Sequence, residues 1–439
     1  MLRKPVYHLV FGLLIGLVLC TLFIPVTGEI TYESLNKNIW WSMHHHDLSN
    51  TGFSPSKAPD TNTLFWVNST GDRIFSSPAV VSSRLYVGSD DTYMYCMNAN
   101  TGQRLWRYSV GSMVRSSPTV GQGKVFFGAD NGIVYCLRAN DGSFFWSYQT
   151  LSWWIYSSPV LTNDRVYIGG QDGRVYCLDA NPDDNGDGVI NWMDSDEGYN
   201  DPEGVTYDLI WWYQTGYWVD ATPAVAQERI FVGSYDGFMY CLNAQNGGFI
   251  WSYDTSSYLT GEIHDEDEEP LIYQRYIASS ASIYKQNVIF STTDGMVFCL
   301  NTTDGSLKWK TQAGLGGDRT SPAVAYGRVY IGSYIIEMQP PYPHYGKLFC
   351  LDVNTGQQLW NYTVESTVHF CSVADHKVYF GISNFWVEPD YLYCLNATSG
   401  MFIWRYEVGD YLMSTPVLAC NSVYVTSCDG NLYCFRGHE

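Results

Sequence analysis

One acidic segment of the chain has the composition and spacing of a calcium-binding loop. Oxygen-bearing side chains stand at positions 1, 3, 5, 9 and 12 of a twelve-residue stretch, and position 7 offers its backbone carbonyl. A glycine, Gly188, occupies position 6, where such a loop turns sharply. The ligands predicted by this spacing are Asp183, Asn185, Asp187, Val189, Asn191 and Asp194. The alternative is a solvated acidic insertion that holds no metal.

A second set of candidate residues precedes the predicted inner strands. It combines aromatic rings with a few basic side chains, a mixture that suits a sugar, a peptide or a quinone. The candidates are Arg73, Arg115, Trp153, Trp154, Trp218, Arg319 and His369. If their segments converge at one end of a channel, these side chains either line a ligand-binding face or simply pack that end of the channel.

Three consecutive histidines, His44–His46, form a third candidate, because imidazole is a ligand of transition metals. In a strand, consecutive side chains point to alternate faces, so at most two of the three would share a site. The sequence therefore favours a place in an N-terminal arm over a metal site.

The elements that position these residues belong to a repeated unit, because three markers each occur eight times in the sequence. One marker is a Ser-Ser-Pro-like triplet, as at Ser76–Pro78, and another is an aromatic-cysteine pair, as at Tyr95–Cys96. The third is a tryptophan, found at Trp66, Trp106, Trp146, Trp211, Trp251, Trp309, Trp360 and Trp404.

Each unit is expected to form four short strands separated by turn signals such as Asn100–Gly102. Four strands in about 40 residues predict an all-β, eight-bladed β-propeller with four-stranded blades. Trp66 precedes the first triplet, whereas the last unit stops after its third strand at Cys434. An N-terminal strand around Leu64–Val67 should therefore complete the last blade and close the ring.

The predicted organisation has three parts: a signal peptide or uncleaved anchor at 1–28, an N-terminal arm at 29–62, and the propeller at 63–436. The calcium loop interrupts the propeller at about 181–204, in the outer turn between Cys177 and Trp211. An acidic insertion at 254–276 is either a partner contact or a solvated loop.

The N-terminus and the net charge limit location and partners. An apolar run at 9–26 follows basic residues, so we expect export to the cell surface or the extracellular space, with membrane contact only through an uncleaved segment. The net charge of −20 excludes nucleic acid as an expected partner, because phosphate contacts need Lys and Arg. We expect a monomeric propeller whose partner is a cell-envelope protein or glycan.

The chain contains 12 cysteines, eight of them in the repeated aromatic-cysteine pairs. Equivalent strand positions in neighbouring blades should lie farther apart than the roughly 7 Å that a disulfide allows between Cα atoms. We therefore expect buried free thiols. The candidate pair for a disulfide is Cys371 and Cys428, because they would lie at the same face of adjacent blades.

Three segments resemble the docking motif of the pyrroloquinoline-quinone (PQQ) propeller family: Asn98–Trp106, Asp352–Trp360 and Asn396–Trp404. The resemblance is to secreted repeat proteins of that family. The resemblance covers roughly residues 60–436 and implies that each tryptophan packs against the neighbouring blade. It also implies two functions, since the family includes PQQ-dependent dehydrogenases of alcohols or sugars and a propeller lipoprotein that scaffolds bacterial outer-membrane protein assembly.

The dehydrogenases of that family hold calcium beside the quinone, use an Asp base, and in many cases stack a disulfide of adjacent cysteines on the cofactor. This sequence has no adjacent cysteines and no Cys-x-x-Cys-His haem motif. Asp220, Asp318 and Asp410 are candidate bases, with nothing to single one out. The sequence therefore favours a non-catalytic module that binds protein or glycan without PQQ, and a PQQ-dependent dehydrogenase is the alternative.

Overall fold

The computed structural model of the protein describes residues 40–182, 209–255, 275–314, 320–336, 344–383 and 390–437. Within these residues all regular elements are β-strands, and they form eight separate sheets. No helix in the described ranges is long and apolar enough to cross a membrane. The predicted eight-bladed propeller with four-stranded blades is confirmed.

Two strands precede the first complete blade, β1 (Phe53–Ser54) and β2 (Leu64–Ser69). Blades 1 to 4 consist of β3 (Ala79–Val81), β4 (Arg84–Gly88), β5 (Tyr93–Asn98), β6 (Arg104–Ser109); β7 (Thr119–Gly121), β8 (Lys124–Gly128), β9 (Ile133–Arg138), β10 (Phe144–Gln149); β11 (Val160–Thr162), β12 (Arg165–Gly169), β13 (Arg174–Asp179), β14 (Leu209–Gln214); and β15 (Ala224–Ala226), β16 (Arg229–Gly233), β17 (Phe238–Asn243), β18 (Phe249–Asp254).

Blades 5 to 8 consist of β19 (Ser282–Tyr284), β20 (Asn287–Ser291), β21 (Met296–Asn301), β22 (Leu307–Gln312); β23 (Ala323–Ala325), β24 (Arg328–Ile336), β25 (His344–Asp352), β26 (Gln358–Val364); β27 (Thr367–Ala374), β28 (Lys377–Ser383), β29 (Asp390–Asn396), β30 (Phe402–Val408); and β31 (Val417–Ala419), β32 (Ser422–Thr426), β33 (Asn431–Arg436). In every blade the first strand is innermost and each strand pairs antiparallel with the next.

The second and third strands of each blade are buried on both faces because neighbouring blades cover them. In β4 and β5, for example, aliphatic, aromatic and sulfur-containing side chains fill nearly every position. Such residues favour pleated, covered surfaces. The outer strand β6 instead alternates exposed and half-buried side chains, since only one of its faces meets another blade.

The ring closes as the sequence predicts. Strand β2 pairs antiparallel with β33 and becomes the outer strand of blade 8, with Trp66 opposite Cys434. The first and last segments of the propeller therefore share one sheet, and the ring has no open end.

The repeated tryptophans dock one blade on the next. Six of them donate the indole N–H to a carbonyl of the following blade at 3.1–3.3 Å: Trp66 to Ala99, Trp106 to Ala139, Trp146 to Ala180, Trp211 to Ala244, Trp251 to Thr302 and Trp309 to Val353. Trp404 instead donates to the carbonyl of Pro59, in the segment that precedes β2, at 3.4 Å. Within the described residues the indole nitrogen of Trp360 has no such partner. Gly102 has a φ of +72°, and a Cβ there would lie 2.7 Å from the Trp66 ring, which explains the glycine of the motif.

The cysteines of the described residues are free thiols, and all of them except Cys420 are buried. Cys371 and Cys428 are among the free ones, so the pair does not form a disulfide. Burial raises the pKa of the Cys371 thiol to about 12. The thiols thus act as small apolar side chains in the blade interiors.

The N-terminal arm departs from the expectation. Residues 40–54 run around the inside of the ring, and β1 pairs parallel with the inner strand β27. The strand assumed for His44–His46 is wrong, because this segment forms a turn. The amide of His46 donates to the carbonyl of Met43, and both His45 and His46 have positive φ. A turn forms here because the arm must bend to follow the curvature of the ring.

Candidate functional site

One face of the propeller is built by the connections between blades. Each connection runs from an outer strand to the next inner strand, and the turn between the second and third strands holds it in place. The amide of Asp90 donates to the carbonyl of Arg73, and Tyr235 donates in the same way to Trp218, both at 2.9 Å. We call this surface the connection face.

An arginine at the centre of a charged network joins the first three blades on the connection face. The guanidinium of Arg115 donates to both carboxylate oxygens of Asp90 at 3.0 and 3.1 Å and lies 3.3 Å from Asp130. It also contacts the hydroxyl of Tyr156 at 3.5 Å. Burial alone would lower the pKa of Arg115, but the hydrogen bond and charge of Asp90 raise it. The positive charge of Arg115 is therefore balanced by two carboxylates that also fix its position. Arg73 lies 3.7 Å from Asp90 and is half exposed.

Beside this network, two successive connections expose apolar side chains. Trp153 is 82% exposed, Leu151 53% and Trp154 45%, all between blades 2 and 3. Tyr217, between blades 3 and 4, is 49% exposed and stacks on Trp218 at 4.9 Å between ring centroids. The group defined as the aromatic surface consists of Leu151, Trp153, Trp154, Tyr156, Tyr217 and Trp218.

Rings continue the aromatic surface towards blade 5. Trp218 meets Tyr235 at 5.9 Å, and Tyr235 stacks on Tyr276 at 5.4 Å with 29° between the ring planes. A row of ring faces held by its neighbours can stack with apolar or aromatic groups of a partner and costs little ordering entropy.

Internal hydrogen bonds hold the most exposed connection in place. The hydroxyl of Ser152 donates to the carbonyl of Trp154 at 2.5 Å and accepts from the amide of Gln171 at 2.8 Å. The amide of Leu151 donates to the hydroxyl of Tyr176 at 3.3 Å. Trp153 and Trp154 therefore lie on a loop whose conformation is fixed by hydrogen bonds.

The structure separates His369 from the other ligand-face candidates. His369 is buried where β27 bulges, and its Nε2 meets the hydroxyl of Ser383. Burial lowers its pKa to about 4. Arg319 lies outside the described residues, as do the six predicted calcium ligands from Asp183 to Asp194 and most of the 254–276 insertion.

The candidate bases do not assemble a quinone site among the described residues. Asp220 is buried and accepts from the side-chain amide of Gln171 at 3.0 Å, while Asp410 accepts from the amide of Tyr411. Asp318 lies outside the described residues. The described ranges bring no three His, Cys, Asp or Glu side chains together in a way that could hold a metal. The arginine of the charged network, Arg115, is already paired with Asp90 and Asp130. Among the described residues, therefore, nothing singles out one of the aspartates as a catalytic base.

Sequence reasoning missed the role of the tyrosines in the aromatic-cysteine pairs. In several blades the tyrosine hydroxyl donates to an aspartate four residues earlier: Tyr95 to Asp91, Tyr176 to Asp172, Tyr240 to Asp236 and Tyr433 to Asp429. Burial, the largest effect, and the neighbouring Asp91 raise the pKa of Tyr95 to about 12, so the hydroxyl remains a donor. The signal was present as a repeated Asp-x-x-x-Tyr spacing, and these bonds fix the turns that hold the connection face.

Comparison with known families gives a match over most of the chain. Residues 56–182, 198–384 and 346–438 match the family model described as outer membrane protein assembly factor BamB.

Individual relatives are more distant. Tetrathionate hydrolase of Acidithiobacillus ferrooxidans is 27% identical over 210 residues, covering 44% of this chain and 38% of that protein. BamB of Legionella pneumophila is 24% identical over 170 residues, covering 32% of this chain and 42% of that protein. The matches thus span less than half the length of these relatives.

Solved structures share the architecture. BamB from Moraxella catarrhalis aligns with a TM-score of 0.66 at 16% identity, over 85% of this chain and 99% of that chain. Quinohemoprotein alcohol dehydrogenase from Comamonas testosteroni aligns with a TM-score of 0.69 at 13% identity, over 92% and 82%. At these identities the likeness shows the fold alone.

Proposed function

The chain belongs to the family described as outer membrane protein assembly factor BamB, and from this premise we propose that it is a non-catalytic propeller that binds a protein partner in the cell envelope. The observation that carries the proposal is the aromatic surface on the connection face. The exported location expected from the N-terminus, at the cell surface or outside the cell, is part of the same proposal.

The physical case rests on exposure and rigidity together. Contiguous exposed apolar groups on a soluble face mark interaction sites, and Trp and Tyr dominate the binding energy of protein interfaces. Trp153 and Trp154 are adjacent, exposed, and held by Ser152. A partner that covers them buries apolar surface, and the hydrogen-bonded loop loses little conformational entropy on binding.

A glycan is the other ligand left open by the sequence, since sugar rings also stack on aromatic faces. Family membership supports a protein partner, because relatives in the comparison are named for outer membrane protein assembly. The dehydrogenase alternative has less support, because the family model that matches most of the chain is that of an outer membrane protein assembly factor.

Replacing Trp153 and Trp154 together with alanine is expected to reduce partner capture from the envelope fraction of the native host at least 30-fold, because the loss of even one interface hot spot costs about 2 kcal/mol or more. The measurement is pull-down with purified protein, quantified by mass spectrometry. Phe249→Ala is the matched control, since Phe249 is an exposed aromatic on an outer strand and away from the connection face.

Capture that survives in the double variant would contradict the aromatic surface as the binding site. If the captured material is polysaccharide and resists protease, the ligand is a glycan and the protein-partner proposal is wrong.

We also propose that Asp183–Asp194 binds one calcium ion. Isothermal titration at millimolar calcium should show a single site, because calcium loops of extracellular modules have a Kd of about 10⁻⁴–10⁻³ M. Asp183→Asn combined with Asp187→Asn should abolish the heat, whereas Asp201→Asn, beyond the loop, should leave it unchanged. Absence of heat from the unaltered protein would contradict the proposal.

A further inference from the structure

The N-terminal arm occupies the channel of the propeller. We call residues 40–54 the channel arm, because their carbonyl oxygens accept hydrogen bonds from the inner strands of six of the eight blades. Each bond runs from an inner-strand amide to an arm carbonyl at 2.6–2.8 Å. The pairs, donor first, are Val80 and Trp41, Val120 and Ser42, Val225 and Leu48, Ile283 and Ser49, Val324 and Thr51, and Val373 and Gly52.

The channel arm ends at the side of the ring opposite the connection face. Phe53, in the arm, packs edge-on against Tyr326, and the hydroxyl of Ser56, just beyond the arm, accepts from the amide of Asn421. Both partners lie in turns between a first and a second strand, which are at the opposite end from the connection face. The last residues of the arm therefore lie at the end of the channel away from the aromatic surface.

Two buried histidines lie in the channel arm. His44 is 9% exposed and His45 is fully buried, with their ring centroids 4.5 Å apart. Nδ1 of His44 and both ring nitrogens of His45 have no partner of good hydrogen-bonding geometry among the described residues. Burying polar groups in this state is costly, and burying them with a charge would cost far more.

The walls facing the channel arm offer no counter-charge. The inner strands β3, β7, β11, β15, β19, β23 and β31 contain no Asp, Glu, Lys, Arg or His, and β27 adds only His369. Within the arm, Asp47 is the one carboxylate, and it already accepts from the amides of Ser49 and Thr51 and the hydroxyl of Thr51. His46 lies 3.6 Å from Asp47 and is thereby paired. A proton on His44 would therefore have no carboxylate partner in the arm, and one on His45 would be stabilised only by the charge of Asp47 and the backbone of Asn50, which do not offset its burial.

We propose that the channel arm is a pH-sensitive latch, which stays bound to the inner strands at neutral pH and withdraws from them when His44 and His45 are protonated. The apolar walls cannot solvate the added charge, and a proton on the neighbouring imidazole would repel it. In water the released histidines bind protons with their ordinary pKa, so acid favours the released state.

The direction and size of the effect follow from linkage. Burial, the largest effect, lowers the pKa of His45 from 6.5 to about 4 against the opposing charge of Asp47, and burial followed by the charge of His45 lowers that of His44. Because the bound arm has the lower pKa, its binding to the inner strands is fully stable above about pH 6.5 and weakens as the pH falls towards 4. At pH 5 the shift of His45 alone weakens this binding about 30-fold, and the lowered pKa of His44 acts in the same direction.

Amide hydrogen exchange of the intact protein tests the proposal, because the arm shields specific amides. Between pH 7 and pH 5 we expect the protection factors of the six donor amides to fall about 30-fold or more. Amides of third strands, such as Cys136, should keep theirs. Unchanged protection of the six amides would overturn the proposal, and so would a parallel loss in the third strands, because that would indicate global unfolding.

Variants separate the two histidines from other acid-sensitive groups. His44→Gln with His45→Gln should keep the six amides protected at pH 5, whereas His369→Gln, which also removes a buried histidine, should lose protection like the unaltered protein. If the double variant does not fold, the exchange profile of the unaltered protein still decides. Loss of protection in a folded double variant would overturn the assignment to His44 and His45.

Discussion

Replacing Trp146 with alanine is expected to lower the free energy of unfolding by about 3–5 kcal/mol, the range for truncating a large buried aromatic side chain. Trp146 is only 3% exposed, its indole N–H donates to the carbonyl of Ala180, and its ring packs on Phe126 at 5.9 Å. The alanine variant leaves a cavity between blades 2 and 3 and one unsatisfied carbonyl. Urea denaturation followed by tryptophan fluorescence and circular dichroism would measure the change.

The matched control for Trp146→Ala is Trp153→Ala, which removes the same side chain a few residues further along the chain. Because Trp153 is exposed, we expect a change within about 0.5 kcal/mol. Trp146→Phe should cost less than Trp146→Ala, since the ring remains and the N–H is lost. Equal destabilisation by Trp146→Ala and Trp153→Ala would contradict the docking role.

The blades could be predicted because their contacts repeat in the sequence at fixed spacing. Among the described residues, six of the eight docking tryptophans pack against a glycine in the turn of the next blade, as Trp66 does against Gly102 and Trp106 against Gly142. The blade count and the closing strand followed from these markers alone. The exception at the seam, where Trp404 donates to Pro59 of the arm, has no repeated counterpart and could not be read in advance.

The path of the arm could not be predicted, because its partners are single residues on blades far apart in the chain. Asn50, for instance, donates its side-chain amide to the carbonyls of Thr222 and Pro223. No local pattern in residues 40–54 specifies such contacts. The turn at His44–His46 follows from the curvature of the surrounding ring.

The candidate site was predictable in part. Aromatic residues before the inner strands indicated the connection face, and Trp153, Trp154 and Trp218 lie there. The sequence did not show that Asp90 and Asp130 would neutralise Arg115, because these carboxylates come from turns of two different blades. It also gave no sign that the bulge in β27 would bury His369.

A chain that begins at residue 70 is expected to lose cooperative folding, whereas a chain that begins at residue 55 is expected to fold. The shorter chain lacks β2, so the edge of β33 is uncovered and the docking of Trp66 on Ala99 is lost. It also lacks Pro59, whose carbonyl accepts from both Trp404 and Tyr379. Thermal unfolding followed by circular dichroism would compare the two chains.

The size of this effect separates the closing strand from the channel arm. Losing Trp66 alone should cost about 3–5 kcal/mol, and each lost hydrogen bond adds roughly 0.5–1.5 kcal/mol. Together these approach the roughly 5–15 kcal/mol that stabilises a whole domain. The chain that begins at residue 55 loses the six arm bonds, the pairing of β1 with β27 and the buried side chain of Trp41, so a lower melting temperature is expected. It keeps every blade four-stranded and the ring closed, so one cooperative transition is still expected. A synthetic peptide of residues 55–69 should restore that transition to the shorter chain by adding the missing strand. Cooperative unfolding of the shorter chain without the peptide would show that β2 is dispensable for the ring.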